Sequence, residues 1–176
     1  MRYRRANTPG GTYFFTVNLA NRSSDILVMH ADDLKDAMRK VKAAHPYALI
    51  AMVILPEHLH AIWRMPPGDV NYPLRWSQIK SEFSRRLPHV EHVSASRIAK
   101  RERGIWQRRY WEHQIHDDGD LARHVNYIHY NPVKHGWVKA AADWPHSTLH
   151  EYSKRDMAAR DWGGVADGES DTYGER

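Results

Sequence analysis

Residues 52–65, MVILPEHLHAIWRM, are the part of the sequence from which the fold can be read most directly. Two apolar segments lie on either side of Pro56 and Glu57, a pair that favours a turn. The pattern therefore predicts a β-hairpin with strands over 48–55 and 59–65.

His58 and His60 are the most chemically informative residues of this hairpin. Side chains alternate between the two faces of a strand, so both imidazoles should leave the sheet on one side, while Leu59 and Ala61 point into the core. Two imidazoles in this arrangement form a candidate bidentate metal site. The alternative is a chance spacing on a solvated strand, because the chain has 13 histidines among 176 residues.

Length and composition restrict the class of protein. We expect one domain over 1–150 and a partly disordered, acidic and Gly-rich tail over 151–176. A formal charge of +5 favours a polyanionic partner. The absence of cysteine excludes disulfides, thiolate metal sites and cysteine nucleophiles. No segment approaches the roughly 20 apolar residues of a membrane span, so we expect a cytoplasmic protein with no membrane partner.

The order of predicted elements indicates the fold. Strands are predicted over 12–19, 48–55, 59–65 and 105–115, and helices from 32 to before Pro46, over 71–87 and over 119–130. Residues 88–104 should form a surface loop or a short helix, and Asn131–Pro132 should end the last helix. This order predicts an α+β, ferredoxin-like split βαβ fold: an antiparallel sheet with helices on one face, plus a C-terminal helix.

Amphipathic patterns predict which helical side chains are buried. The first helix has an apolar stripe of Leu34, Met38 and Val41. The second has apolar residues at Leu74, Ile79, Phe83 and Leu87, and a basic flank formed by Arg75, Lys80, Arg85 and Arg86.

The last helix presents a second set of polar side chains. Tyr127 and Asn131 are four residues apart and share one helical face, with His124 one turn before Tyr127. A phenol and an amide oxygen could therefore be presented together to the strand that contains the two histidines. The alternative is that Tyr127 is an amphipathic core residue and Asn131 a C-cap before proline.

Several separated motifs together resemble one family. PEHLHAIW at 56–63, WQRRYWEHQI at 106–115 and HVNYIHYNPVKHGWV at 124–138 look like the REP-associated tyrosine transposases, a branch of the single-tyrosine HUH (His-hydrophobic-His) transposases. The opening RRANTPGGTYFFTVNL and the later DWPHSTLH are similar to the same branch, so the resemblance covers most of the chain up to about residue 150.

The resemblance implies a function and a mechanism. It implies that His58 and His60 bind a divalent metal, Mg²⁺ or Mn²⁺, with Asn131 as third ligand, and that Tyr127 is the catalytic nucleophile of the last helix. Attack by Tyr127 would nick and rejoin single-stranded DNA through a covalent 5′-phosphotyrosine, without a nucleotide cofactor. The implied substrate is hairpin DNA of the repeated extragenic palindrome (REP) type, bound by a monomer in the bacterial cytoplasm, in association with the nucleoid.

Basic residues around these motifs form a candidate DNA surface. They are Arg4, Arg5, Arg108, Arg109, Lys134 and His135. Phosphate contacts from such residues would position DNA, and a few bidentate arginine contacts would read bases. Each of them taken singly could also be a solvated charge. The surface as a whole predicts that affinity for DNA falls as the salt concentration rises.

Two other functions remain open on the sequence alone. One is a non-catalytic regulator that binds hairpin DNA on the same scaffold, and the other is an RNA-processing phosphodiesterase. The intact set of His58, His60 and Tyr127 favours the enzyme, since a binding protein has no use for a nucleophile beside a metal. Matched DNA and RNA hairpins would separate the RNA alternative.

Overall fold

The computed structural model describes residues 7–89, 91 and 93–154. Its elements in chain order are β1 Thr12–Asn18, α1 Ile26–Met29, α2 Ala31–Ala44, β2 Ala48–Ile54, β3 His58–Arg64, α3 Tyr72–Arg86, α4 Ala95–Ala99, β4 Trp111–Gln114, α5 Asp118–Lys134, a 3-10 turn Ala141–Asp143 and α6 Leu149–Lys154. No helix within these ranges is long and apolar enough to cross a membrane.

The four strands form one antiparallel sheet in the order β2-β3-β1-β4. Helix α2 connects β1 to β2, and α3 lies between β3 and β4, so the chain has the βαββαβ order of the split βαβ arrangement. The predicted α+β, ferredoxin-like fold is confirmed. Strand β3 pairs along its length with β1 on one side and β2 on the other, which places both histidines on a central strand.

The larger core lies between one face of the sheet and helices α2 and α3. Trp63 of β3 stacks between Tyr47 and Trp76, with ring centroids 4.1 Å and 4.2 Å away. The predicted stripe of α2 (Leu34, Met38, Val41) is buried, and so are Ile79, Phe83 and Leu87 at the end of α3.

Two predictions for α3 are wrong. Leu74 is 37% exposed, whereas Arg75, assigned to a basic flank, is 3% exposed. Arg75 is buried because its guanidinium group has partners there: it donates to the carbonyl oxygens of His45 and Pro46 and pairs with Asp69 at 2.7 Å. A buried charge is tolerated when it is paired and hydrogen-bonded in this way.

Helix α5 covers the opposite face of the sheet. Its Val125 and Ile128 pack in a second apolar cluster with Phe14, Val53 and Ile62. This face also contains His58 and His60, because side chains of β3 alternate and Leu59, Ala61 and Trp63 belong to the larger core.

The chain after α5 returns to the free side of β2. Trp144 Nε1 donates to the carbonyl oxygen of Ile54 at 2.9 Å, and the Tyr152 hydroxyl donates to that of Ile50 at 2.8 Å. These bonds occupy backbone groups that an edge strand would otherwise expose. The boundary expected after residue 150 falls within α6, and the tail beyond Lys154, expected to be partly disordered, lies outside the described residues.

The prediction of one continuous strand over 105–115 is wrong. Trp106 forms an isolated bridge with Leu19, and regular pairing resumes only where Trp111 faces Thr16. The interval from Thr16 of β1 to Leu19 is three residues, whereas the facing interval from Trp106 to Trp111 is five residues. Two extra residues therefore bulge out of the ladder. The bulge allows Tyr110 to pack against α3, with its ring 6.2 Å from that of Trp76.

The prediction that Asn131–Pro132 ends the last helix is also wrong. Helix α5 continues through Pro132 to Lys134, with His135 as its C-cap, so Asn131 lies within the helix rather than capping it. Proline inside a helix removes one hydrogen bond and costs about 3 kcal/mol. Pro132 is buried on the packed side of α5, and the bond from His135 N to Asn131 O, 3.0 Å long, closes the next turn. Tertiary packing thus outweighs the local preference.

Candidate active site

His58 and His60 lie side by side on the α5 face of the sheet. Their ring centroids are 4.8 Å apart, and the two side chains are 1% and 0% exposed. The predicted common orientation is therefore confirmed, and the alternative of a solvated strand is excluded. Chance spacing on a surface would leave at least one ring in water.

Neighbouring acceptors orient the two imidazoles. Nδ1 of His58 lies 3.0 Å from Glu57 Oε1, and Nδ1 of His60 lies 2.9 Å from Thr16 Oγ1. These contacts favour the tautomer in which Nδ1 holds the proton and Nε2 keeps its lone pair. Nε2 of His58 is buried and has no hydrogen-bond partner in the part of the chain that the structure describes.

The surroundings determine the ionisation of His60 and Glu57. Burial, together with the nearby charges of His58 and Lys134, holds the pKa of His60 well below its usual range, so its imidazole is neutral at neutral pH. Burial alone would raise the pKa of Glu57. The hydrogen bond to His58 and the charges of His58 and Arg22 nevertheless bring that pKa below its ordinary value.

Helix α5 brings Tyr127 to the histidines. The Tyr127 ring is 5.2 Å from that of His60, edge to face, and 6.0 Å from that of Phe14. Val125 and Ile128 anchor the helix in the apolar cluster, while Tyr127 is only partly buried and can be reached from solvent. Asn131, fully buried, follows one turn later on the same side of the helix.

The continuation of α5 past Pro132 adds two basic residues to this group. Lys134 Nζ donates to the Tyr127 hydroxyl at 3.2 Å and lies 4.7 Å above the centre of its ring. Burial lowers the pKa of Lys134. The His135 ring lies 5.6 Å from that of His58, and burial lowers its pKa as well. The sequence predicts both residues after the helix, whereas Lys134 is its last residue and His135 its C-cap. The contact of Lys134 with Tyr127 could not be predicted, because the two are two helical turns apart only if the helix continues.

The other predicted DNA-contacting residues lie elsewhere or outside the described residues. Arg4 and Arg5 fall outside them. Arg108 and Arg109 are not on strand β4 as predicted but in the bulge before it, where both are exposed. Arg108 is paired with Glu102 at 2.8 Å and lines a groove of about 580 Å³ beside α3. Three further arginines of this groove were not singled out from the sequence: Arg97, Arg101 and Arg103.

A second group of potential metal ligands lies beside the first turns of α5. It consists of His113 on β4 and Asp120 and His124 on α5, and one ligand atom from each lies within 4.8 Å of the others. Nε2 of His113 is 2.9 Å from Asp120 Oδ2, and Nδ1 of His124 is 3.1 Å from Asp120 Oδ1. These three residues could hold a metal ion. His124 was noted in the sequence as a turn before Tyr127, but its pairing with His113 depends on the register of β4 and could not be read there.

The ionisation of this second group is set by its surroundings. Burial alone would raise the pKa of Asp120, but hydrogen bonds from His113 and the His116 amide bring it below its ordinary value. Burial lowers the pKa of His124, against the opposing influence of Asp120. The group is therefore a carboxylate beside a neutral imidazole at neutral pH.

Comparison with known proteins identifies relatives over nearly the whole chain. A REP-associated tyrosine transposase of Escherichia coli K12 is 44% identical over 162 residues, which are 92% of this chain and 90% of the relative. A Haemophilus influenzae protein, assigned provisionally to the same family, is 43% identical over 166 residues, which are 94% of both chains. No family model matches the chain.

A solved structure agrees with the sequence comparison. It is that of a REP-associated tyrosine transposase bound to a REP hairpin, 43% identical, with a TM-score of 0.85 over 100% of this chain and 98% of that one. The shared fold therefore extends over the whole of this chain. This chain belongs to the family of REP-associated tyrosine transposases.

Proposed function

We propose that this chain nicks and rejoins single-stranded DNA beside REP-type hairpins, with Tyr127 as nucleophile and a divalent metal at His58, His60 and Asn131. The observation on which this rests most is the contact between Tyr127 and His60 of the buried histidine pair, 5.2 Å from ring centre to ring centre. A nucleophile, two imidazoles and a cationic group beside the phenol oxygen form a small set suited to phosphoryl transfer.

The residues present fit a divalent metal. His58 has a buried Nε2 that lacks a hydrogen-bond partner within the described ranges, and leaving such an atom without a ligand is unfavourable. His60 is oriented by Thr16, and Asn131 would add an amide oxygen. This donor set accepts Mn²⁺ more readily than Mg²⁺, which prefers oxygen ligands. When bound, the cation would polarise the phosphodiester and offset the negative charge that develops during transfer.

The chain's own residues would perform the bond changes. The Tyr127 oxygen attacks phosphorus, a Tyr–O–P bond forms, the P–O3′ bond breaks, and the phenol proton passes to the departing 3′-oxygen. One phosphodiester replaces another, so the step is close to isoenergetic and its reversal joins strands. Lys134, 3.2 Å from the phenol oxygen, would stabilise the negative charge on that oxygen as the proton leaves.

One chain supplies both the histidines and the tyrosine. His60 and Tyr127 contact one another within a single copy, so no second copy is needed to bring nucleophile and ligands together. This supports the expected monomer, whose DNA partner would approach the partly exposed Tyr127.

The test is denaturing electrophoresis after incubation with Mn²⁺ and a REP-type DNA hairpin that has labelled single-stranded flanks. We expect metal-dependent cleavage and a protein adduct that retains the 3′-side label. Tyr127→Phe should lose cleavage and keep binding, whereas Tyr130→Phe, on the same helix, should cleave normally.

Two outcomes would replace this proposal. Binding that falls with salt but yields no cleavage by the unaltered chain would support the non-catalytic hairpin-DNA regulator. Preference for a matched RNA hairpin would support the RNA-processing alternative.

A further inference from the structure

We propose that His113, Asp120 and His124 form a second, separate metal site, selective for Zn²⁺ or a similar borderline cation, that links strand β4 to helix α5. The three side chains belong to two elements that are otherwise joined by a short turn. The proposal is independent of the proposed function, because it concerns a different ligand set.

The fold brings these ligands together for identifiable reasons. His113 stands opposite Phe14 in the pairing of β4 with β1, which places its ring on the α5 face of the sheet. Asp117 caps α5 by accepting from the Asp120 amide at 2.8 Å, so the first turn is fixed against the end of β4. Asp120 and His124, four residues apart, then share the face that looks toward His113.

The separations between the ligand atoms suit a small tetrahedral ion. Two ligands at about 2.0–2.1 Å from zinc lie roughly 3.3 Å from each other in a tetrahedron. The Asp120 oxygens lie 2.9 Å from His113 Nε2 and 3.1 Å from His124 Nδ1. The widest separation in the set, 4.8 Å at most, would shorten by up to about 1.5 Å on binding. Nδ1 of His124 also donates to the backbone carbonyl oxygen of Asp120 at 2.9 Å, so a metal bound at that atom would replace this hydrogen bond as well as the contacts with the carboxylate.

The surroundings leave room for a fourth ligand and for the metal ion to enter the site. His113 is 30% exposed, whereas Asp120 and His124 are 8% and 3% exposed, so the site is closed on the protein side and open at one edge. Two imidazoles and one carboxylate plus water is the composition of many zinc sites, and it is a poor match for Mg²⁺. The Arg123 guanidinium, 3.4 Å from Asp120 Oδ1, can turn into solvent, because its side chain is 65% exposed.

Phe14 separates this site from the histidine pair on β3. Its ring lies 4.9 Å from that of His124, 5.3 Å from that of His60 and 6.0 Å from that of Tyr127. The two metals would therefore not share ligands. An ion at the second site would fix the N-terminal half of α5, and through it the position of Tyr127 over His60.

The test measures zinc binding by the tag-free chain with the first site removed. In a His58→Ala, His60→Ala variant we expect one equivalent of Zn²⁺ by calorimetry and elemental analysis, and a higher Tm with zinc than without. Adding Asp120→Asn should weaken zinc binding by at least about tenfold. Cobalt in place of zinc should give the absorption of a tetrahedral ion.

Two controls keep this test decisive. His116→Ala changes a neighbouring histidine outside the set and should leave the equivalent of zinc unchanged. His113→Ala alters a partly exposed ligand, so a folded variant is expected even if Asp120→Asn unfolds. A folded His58→Ala, His60→Ala variant that binds no zinc, or unchanged zinc affinity when His113→Ala is added to that variant, would overturn the proposal and leave the three residues as a hydrogen-bonded network only.

Discussion

At the scale of single residues, the site depends on side chains that orient others. His58 and His60 are recognisable in the sequence by their spacing, but their tautomers depend on Glu57 and Thr16. Glu57 adjoins His58 in the chain and could have been suspected. Thr16 lies 44 residues away, and only the pairing of β1 with β3 places it opposite His60.

Replacing Thr16 by valine tests this orientation. Thr16→Val keeps the β-branched shape but removes the hydroxyl group 2.9 Å from His60 Nδ1. We expect the Mn²⁺ concentration for half-maximal cleavage to rise about 10- to 100-fold, as is usual when the orienting partner of a ligand is lost. Thr12→Val on the same strand is the control. Equal metal requirements for the two variants would mean that Thr16 does not orient the ligand.

Replacing Lys134 by methionine tests the cation beside the phenol. Lys134→Met keeps the length of the side chain and removes a charged hydrogen bond worth about 1.5–3 kcal/mol. We therefore expect the cleavage rate at saturating DNA to fall about 10- to 100-fold, while Lys139→Met, an exposed lysine beyond α5, has little effect.

The same variant separates two roles for Lys134. A residue that acts on Tyr127 lowers kcat and leaves the salt dependence of DNA binding unchanged. Unchanged kcat with a shallower salt dependence would instead make Lys134 a phosphate contact.

At the scale of elements, periodicity and turn residues predict most helix and strand boundaries. They fail where tertiary packing determines the boundary. The apolar stripe of α2 and the hairpin around Pro56 follow from periodicity and turn chemistry, and both were predicted correctly. Pro132 predicts a helix end, because proline inside a helix has a real local cost. The burial of Pro132 and Asn131, which sequence periodicity does not show, outweighs that cost.

In helix α3, the local sequence likewise does not predict that a charged residue is buried. The sequence predicts Arg75 as part of a basic surface, because it does not show that Asp69 and two carbonyl oxygens contact Arg75 inside the fold. Removing it with Arg75→Ala should lower the free energy of unfolding by about 3 kcal/mol in urea at pH 7. Arg85→Ala, a change at an arginine of the same helix whose side chain is 66% exposed, should alter it by about 0.5 kcal/mol or less.

The effect of Arg75→Ala should also depend on pH. The hydrogen bond from Arg75 lowers the pKa of Asp69 from its ordinary value of 3.8. A group with a lowered folded-state pKa contributes stability above its unfolded-state pKa and loses it as the pH falls through the folded value. The difference in free energy of unfolding between the unaltered chain and Arg75→Ala should therefore become smaller below about pH 4. A gap that widens in acid would contradict the pairing.

At the scale of the whole molecule, the two faces of the sheet have different roles. One face packs α2 and α3 into the larger core, and the other presents the histidines to α5. The order of elements predicted the antiparallel sheet, the helices on one face and a further C-terminal helix. It could not predict that β4 and α5 together create a second ligand group, because that group depends on strand register and helix phase at once.

The basic character of the chain should make its affinity for DNA depend on the salt concentration. Log affinity should fall linearly with log salt, with a slope of about −0.7 to −0.9 for each phosphate contact. Arg109→Ala should reduce the slope by about one contact, because Arg109 is exposed and has no ion pair among the residues that the structure describes. Arg108→Ala should reduce it less, since Arg108 is already paired with Glu102. A slope near zero would contradict the DNA surface as a whole.

The most direct test of the account is to locate the covalent bond between protein and DNA. Trypsin cleavage after Arg123 and Lys134 yields a peptide of residues 124–134, which contains both Tyr127 and Tyr130. Fragmentation of this peptide by mass spectrometry, after reaction with hairpin DNA and digestion of the DNA, should place a 5′-linked nucleotide phosphate on Tyr127. A phosphate on Tyr130, or on any other residue, would contradict the assignment of Tyr127 as the nucleophile.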